Sequence, residues 1–288
     1  MLDWLPKGVK SRLRRYYNGT RSAYYHYAHP FSTDDLLSTL RELRISEGDV
    51  VLVHSAFSEF LGFRGKAPDV IKTLKGAVGP YGTLMMPTLS FRGSAAAYAR
   101  EEKVFDPKRS PSQVGLLPEV FRRSEGVIRS LHPTHSVAVW GPRSAYFVHG
   151  HYLAATPCGR GTPYFRLLEQ QGKILLLGVG IAVLTFFHCV EELVEGELPF
   201  SPFTSEVFIM RCQVDGNIVE TAPMRLYDPG VSASRDLNAL EDAMRNKGAW
   251  HRRKLGNLEL TVLSTEDILS TTKELAKRGI YCYRKANA

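Results

Sequence analysis

Short unbroken apolar runs alternate with longer segments whose apolar residues recur every three or four positions along the first two thirds of the chain. The runs read as strands buried on both faces, and the spaced segments as helices with one apolar stripe. Ser32 followed by Asp35 is a capping box that opens a helix through Leu36, Leu37, Leu40 and Leu43. Residues 49–55 form an apolar strand ending in polar residues, residues 68–78 have helical period and stop at Gly79-Pro80, and residues 83–87 form a second buried strand. Residues 92–113 read as a long loop with one short helix. The pattern then predicts helix over 115–123, strand over 136–140 and helix over 162–171. The strongest strand is 173–178, followed by a helix carrying His188 and Glu191. Past residue 205 the pattern changes. Residues 207–214 and 218–221 flank Asp215-Gly216-Asn217, a hairpin signal, and a last helix runs from a Ser264 cap to a Gly279 stop.

Strands alternating with helices predict an α/β fold, layered α/β/α around a central mixed sheet, with a C-terminal hairpin and helices added. No repeat, low-complexity tract or clear linker cuts the chain. The expected organisation is therefore a segment at 1–30 followed by a single domain over 31–288.

The chain has 288 residues, 44% hydrophobic and 23% charged, a globular balance that excludes a disordered or fibrous protein. No apolar run reaches the roughly 18 residues of a membrane-spanning helix. Residues 1–30 lack the apolar core of a signal peptide, and Cys158, Cys189, Cys212 and Cys282 are widely spaced. The expectation is a cytoplasmic protein with reduced thiols. An excess of 37 basic over 29 acidic residues gives +8, which suits nucleic acid, an anionic membrane or a phosphorylated small molecule. Nucleic acid is set aside because no helix-turn-helix, finger or RNA-recognition signature is present. Residues 1–30 hold six Lys/Arg and one Asp interleaved with Trp4, Tyr16, Tyr17, Tyr24, Tyr25 and Tyr27. Without a long clean apolar face, this segment is expected to pack on the domain; weak contact with an anionic membrane surface is the alternative.

Three polar clusters carry candidate chemistry: 54–58 (HSAFS), 132–136 (HPTHS) and 185–191 (TFFHCVE). The first and third follow strands, where ligands gather in α/β sheets. Thr185, His188 and Glu191 are spaced i, i+3, i+6, so His188 can meet either neighbour on one helix face. A histidine oriented by a carboxylate is a common general base. Alone, such a triplet is more often structural.

Several stretches raise its weight. Val53-His54-Ser55-Ala56 resembles an HAS-type turn, and Gly79-Pro80-Tyr81-Gly82-Thr83-Leu84-Met85-Met86-Pro87 a GPxGTLxMP stretch. Phe105-Asp106-Pro107 with Ser110-Pro111-Ser112 and Gly115 resembles an FDPxxTPSxxG loop. Arg129-Ser130-Leu131-His132-Pro133-Thr134-His135-Ser136 resembles RSxHPxxS, Gly161-Thr162-Pro163 with 173–178 resembles GSP…LLLG, and 185–191 resembles TxxHxxE. In this order, from about residue 33 to 195, the chain resembles the aminoglycoside 3-N-acetyltransferase family of acetyl-CoA-dependent enzymes. Residues 1–30 and much of the last 80 carry little of the match.

The resemblance implies direct transfer of an acetyl group from acetyl-CoA to an amine by the domain at 31–288, with no metal. It implies His188 as general base and Glu191 as its orienting partner or a binder of the substrate ammonium. Thr185 is the candidate donor to the developing oxyanion. His54, Ser55 and Ser58, together with Ser112 and Gly115, are candidates for the CoA phosphates, and Asp106 for the loop or pantetheine. His132 and Ser136 are candidates for lining the channel, and Glu192 for an acidic wall at the substrate. The acidic run Glu191, Glu192, Glu195 and Glu197 reads equally as a solvated helix face.

Other readings are weaker. Adjacent helical residues do not face each other, which counts against a Cys189 nucleophile activated by His188. His149 and His151 match no zinc signature and are expected on a surface loop. Gly178-Val179-Gly180 lacks the dinucleotide fingerprint. A non-catalytic CoA-binding protein would not need the His188–Glu191 pair. A basic surface suits a nucleotide-linked or polysaccharide-precursor amino sugar, placed first as acceptor, better than a polycationic aminoglycoside, placed second. The oligomeric state is left open.

Overall fold

The computed structural model describes residues 7–284. A long helix, α1 (Lys7–Ala28), leads to α2 (Thr33–Glu42). The Ser32 box forms as expected: the Asp35 N–H donates to Ser32 Oγ at 3.2 Å, and the Ser32 N–H to Asp35 Oδ2 at 2.8 Å. There follow β1 (Val50–Ser55), α3 (Ala67–Val78), β2 (Thr83–Pro87), α4 (Ala95–Ala99) and α5 (Leu116–Phe121). Next come β3 (Val127–Arg129), β4 (Val137–Trp140), α6 (Ser144–Val148), α7 (Pro163–Glu169), β5 (Lys173–Leu177) and α8 (Phe187–Leu193). The last third holds β6 (Phe203–Phe208), β7 (Arg211–Val214), β8 (Asn217–Glu220), β9 (Met224–Tyr227), α9 (Pro229–Ser234) and α10 (Asn238–Asn246). It ends with β10 (His251–Leu255), β11 (Leu258–Ser264) and α11 (Thr265–Lys277).

Seven strands form the central sheet in the order β10-β11-β5-β1-β2-β4-β3. β1 pairs parallel with β2 and β5, while the outer strands run antiparallel, so the sheet is mixed. Helices cover both faces. Val51, Val53, Leu175 and Leu177 pack toward α2 and α3, whereas Leu52, Ile174 and Leu176 pack toward α7, α8 and α11. This two-sided burial explains the unbroken apolar runs. Each such Leu or Ile contributes roughly 1.5–3 kcal/mol on burial.

The expected hairpin forms, but shorter. β7 and β8 pair around Asp215 (φ 43°) and Gly216 (φ 89°), while Val207 and Phe208 belong to β6, which pairs with β9 instead. Two positive φ values in succession suit the right-handed strand twist. β10 and β11 were not anticipated. β11 inserts Leu258, Leu260 and Val262 into the α2/α3 core beside β5, and β10 presents His251, Arg252, Arg253 and Lys254 to solvent at the sheet edge. Charges on an edge strand discourage further pairing.

The C-terminal end of α1 rests on the domain: Arg21 pairs with Glu59 at 3.2 Å and with Asn257 Oδ1 at 2.8 Å. Tyr16, Tyr24 and Tyr27 are exposed. Trp4 and the rest of 1–6 lie outside the described residues. Among the described residues, no helix is long and apolar enough to cross a membrane.

Candidate active site

β1 and β5 run parallel, so their carboxyl ends open on the same side of the sheet. The chain leaves β5 through Gly178 (φ 66°), where a Cβ would stand 2.6 Å from Glu59 Cβ. Only glycine fits that turn. It then passes through a 3₁₀ turn at Ile181–Val183 into α8. Two clefts meet there. One, of about 510 Å³, is lined by Phe91, His135, Thr185, His188, Tyr227 and Arg235 among others. The second, of about 360 Å³, is lined by His54, Ser55, Gln113, Val114, Val183 and again Thr185.

His188 and Glu191 meet as their spacing predicts, with His188 Nδ1 2.9 Å from Glu191 Oε2. Glu191 is 1% exposed. Three side chains hold its carboxylate: His188, the Arg235 guanidinium (Nη2 at 2.9 and 2.8 Å from the two oxygens) and the Tyr283 hydroxyl. Burial pushes this carboxyl up, but the His188 contact, the Arg235 charge and the Tyr283 hydrogen bond outweigh it and keep it ionised. Burial lowers His188, the Arg235 charge adds to that, and Glu191 opposes it; the imidazole is neutral at neutral pH. With the Nδ1 proton directed at Glu191, the Nε2 lone pair is available to take a proton.

Tyr227 stacks on His188 with ring centroids 3.8 Å apart, and Phe203 stacks on Tyr227 at 5.2 Å. The small core formed by α4, β6 and β9 around Met224 and Leu226 fixes that strand. The Tyr227 hydroxyl donates to Glu192, which also accepts from Thr156 and from the Cys158 N–H at 3.3 Å. Burial raises Glu192 to about 7. His135 completes the wall, edge-on to His188 at 5.5 Å, with Nδ1 2.9 Å from Thr134 Oγ1.

Thr185 and His188 line the larger cleft with Glu191 buried behind His188, and His54 and Ser55 line the smaller one; Thr185 stands just before α8 rather than on the helix face expected to carry all three. Gly115 approaches the latter: a Cβ there would lie 3.6 Å from Ser55 O. His54 Nε2, Ser55 Oγ and Ser112 Oγ are buried without a hydrogen-bond partner. Polar atoms of this kind fit a ligand rich in carbonyl and phosphate oxygens, such as CoA.

The remaining candidates sit elsewhere. Ser58 is exposed on the 3₁₀ turn after β1 and lines neither cleft. Asp106 accepts from the N–H groups of Lys108 (2.7 Å) and Arg109 (3.0 Å) and so shapes its own loop. Ser136 donates to Thr88 O at 2.9 Å and accepts from Arg129 Nε at 3.0 Å, tying the ends of β2 and β4 together. His132 is fully buried behind His135, its ring 4.3 Å from that of His151. Glu192 lies beneath Tyr227 and does not line the cleft. The acidic run divides: Glu191 and Glu192 are held by protein donors inside the fold, whereas Glu195 is partly exposed in a surface pair with Arg225 and Glu197 is exposed, as on a solvated face. His151, expected on a surface loop, is fully buried: Nδ1 is 2.8 Å from Ser130 Oγ and Nε2 2.9 Å from Pro157 O. Among the described residues, no group of three or more ligating side chains is arranged for a metal.

Sequence reasoning missed Arg235, Tyr227, Tyr283 and His135 as parts of the site. His135 lay inside a quoted motif; the other three carry no spacing signal.

A mixed-sheet α/β protein with a His–Glu dyad where two clefts meet is the class that fold and site define. Residues 52–277 match the aminoglycoside 3-N-acetyltransferase family, and the chain belongs to it. Aminoglycoside N(3)-acetyltransferase IX of Micromonospora chalcea is 32% identical over 183 residues, covering 59% of this chain and 65% of that protein. The match thus spans just under two thirds of that relative. Among solved structures, AAC-VIa bound to sisomicin superposes with a TM-score of 0.71 at 25% identity, over 87% of this chain and 99% of that one. AAC-IIIb with CoASH gives a TM-score of 0.72 at 21% identity, over 90% and 99%. The expected fold is therefore correct.

Proposed function

We propose that this protein transfers the acetyl group of acetyl-CoA to an amino group of an aminoglycoside, with His188 as general base. The observation that carries the reading is the 2.9 Å His188–Glu191 pair facing the larger cleft, next to Thr185, which lines both clefts. The smaller cleft, with its unpartnered His54 and Ser55 atoms, suits the CoA arm, and the thioester supplies the acyl group. The amine enters on the His188 side. His188 Nε2 takes its proton as nitrogen bonds to the acyl carbon, Glu191 stabilises the imidazolium that forms, and collapse of the tetrahedral intermediate breaks the C–S bond, the CoA sulfur leaving with the proton that His188 returns. The Thr185 hydroxyl, common to both clefts, donates to the acyl oxygen as charge builds on it.

The acceptor follows from the relatives rather than from net charge. The curated relative is named for aminoglycosides, and AAC-VIa is described with sisomicin. These names favour the aminoglycoside over the nucleotide-linked or polysaccharide-precursor sugar that the +8 charge had placed first. The test is thiol release from acetyl-CoA against a panel of aminoglycosides and nucleotide-linked amino sugars. Turnover with aminoglycosides, with the product acetylated on nitrogen, is the expected result. No thiol release with any aminoglycoside sinks the reading.

A further inference from the structure

Tyr283 lies beyond the family match, which ends at residue 277, yet its hydroxyl reaches the buried Glu191 carboxylate. It gets there because the chain after α11 returns across the molecule and pairs with the segment that follows α9. Arg235 and Tyr283 form an antiparallel bridge. The Asp236 N–H donates to Cys282 O at 2.9 Å, and the Arg284 N–H to Ser234 O at 2.8 Å. Phe200 stands edge-on to the Tyr283 ring at 4.8 Å and fixes it from the other side. One short pairing therefore delivers two side chains to the same carboxylate.

Arg235 does more than pair with Glu191. Its Nη2 is 2.9 and 2.8 Å from the two carboxylate oxygens and 3.2 Å from His188 Nδ1. An arginine cannot accept a hydrogen bond, and Nδ1 cannot both donate to Glu191 and accept from Arg235. Glu191 Oε2 lies closer, at 2.9 Å, so the Nδ1 proton points to the carboxylate and Arg235 acts on the ring as a neighbouring charge. Around His188, Glu191 comes from its own helix, Arg235 from the turn after α9, Tyr227 from β9 and His135 from the turn before β4. Tyr283 acts through Glu191, and Glu192 through Tyr227. Arg235 is the one permanent cation in this ring of groups.

We infer that Arg235 and Tyr283, joined by the C-terminal pairing, are positioning residues that fix the Glu191 carboxylate and hold His188 in its neutral, Nδ1-protonated form. This rests on the proposed role of His188 as base. With Arg235 neutralising Glu191, the imidazole gives up its proton readily between turnovers. Without it, an unbalanced buried carboxylate would hold the imidazolium.

The test uses the full-length protein and two independent readouts, the nitrogen NMR titration of His188 and the pH profile of kcat. Arg235→Gln is expected to move the His188 titration, and the acidic limb of kcat, to higher pH, and to lower kcat at neutral pH roughly 10- to 100-fold. Arg235→Lys, which keeps the charge but loses the fork, is expected to hold the titration near the wild-type position while recovering only part of kcat. Tyr283→Phe is expected to shift both in the same direction as Arg235→Gln, by less. A His188 titration unmoved in Arg235→Gln overturns the inference, whatever happens to kcat. So does a Lys variant that shifts as far as Gln. If Arg235→Gln does not fold, Tyr283→Phe decides alone, and an unchanged titration there overturns it. Because the NMR titration needs no turnover, it reports on the clamp even if no aminoglycoside is acetylated.

Discussion

On the His188 side of Thr185, the charged and aromatic groups are held by protein partners; on the His54 side, three buried polar atoms have none. Glu191 is engaged by three side chains, Glu192 by two hydroxyls and a backbone N–H, and His188 is stacked on Tyr227 and paired with Glu191. His54 Nε2, Ser55 Oγ and Ser112 Oγ have no hydrogen-bond partner within the protein. A proton-transferring group gains from being fixed before the substrate arrives, since reorganisation then costs little at the moment of reaction. A binding surface gains from keeping its hydrogen-bonding capacity for the ligand. On the proposed reading, the two clefts would divide these tasks.

Breaking the first side at its centre gives the largest effect. His188→Ala is expected to lower kcat by roughly 10²–10⁴, with the CoA-induced rise in Tm kept, because the donor cleft is untouched. A kcat near wild type would remove His188 from the role of base. The next effect is on stability. Glu192 sits at about 7 in the folded protein against an ordinary 4.5, so the native state keeps a proton that the unfolded chain releases. Its stabilisation is fully present below about pH 4.5 and is lost as pH rises through 7, a change on the order of 3 kcal/mol. Glu192→Gln, neutral throughout, is expected to flatten this fall in denaturant unfolding at pH 5, 6, 7 and 8. A wild-type stability that does not drop over that window refutes the assignment. The smallest effect is on the donor side. Burial lowers His54 to about 4, so on the proposed reading it would meet the CoA arm as a neutral ring. His54→Ala is expected to raise the KM for acetyl-CoA roughly tenfold, with kcat nearly kept. An unchanged KM would mean that the CoA arm does not run past His54.

Much of the first two thirds of the molecule was legible from its pattern. The Ser32 box, the strands at 50–55, 83–87 and 173–177 and the helix at 67–78 appear within a residue or two of expectation. The last third was harder. The alternation Leu258-Glu259-Leu260-Thr261-Val262 is a strand signal, but it follows the basic run 251–254 and a Gly256-Asn257 turn, and nothing local says that it joins the central sheet beside β5. The acidic run shows the same limit. Glu191 and Glu192 are neighbours in sequence, yet they meet different partners, one in the Arg235 clamp and the other under Tyr227.

The sequence alone determined the strands that must be buried on both faces, because an unbroken apolar run has no polar side to offer water. It also determined the His188–Glu191 contact, because a three-residue separation on a helix brings two side chains to one face. Only the tertiary structure decided what surrounds that pair. Arg235 lies 44 residues from Glu191 and Tyr283 lies 92, and they arrive because β9, α9 and the C-terminal segment pack back over α8. A spacing rule works within one element. The charge balance of a buried dyad depends on groups from several elements, and folding is what brings them together.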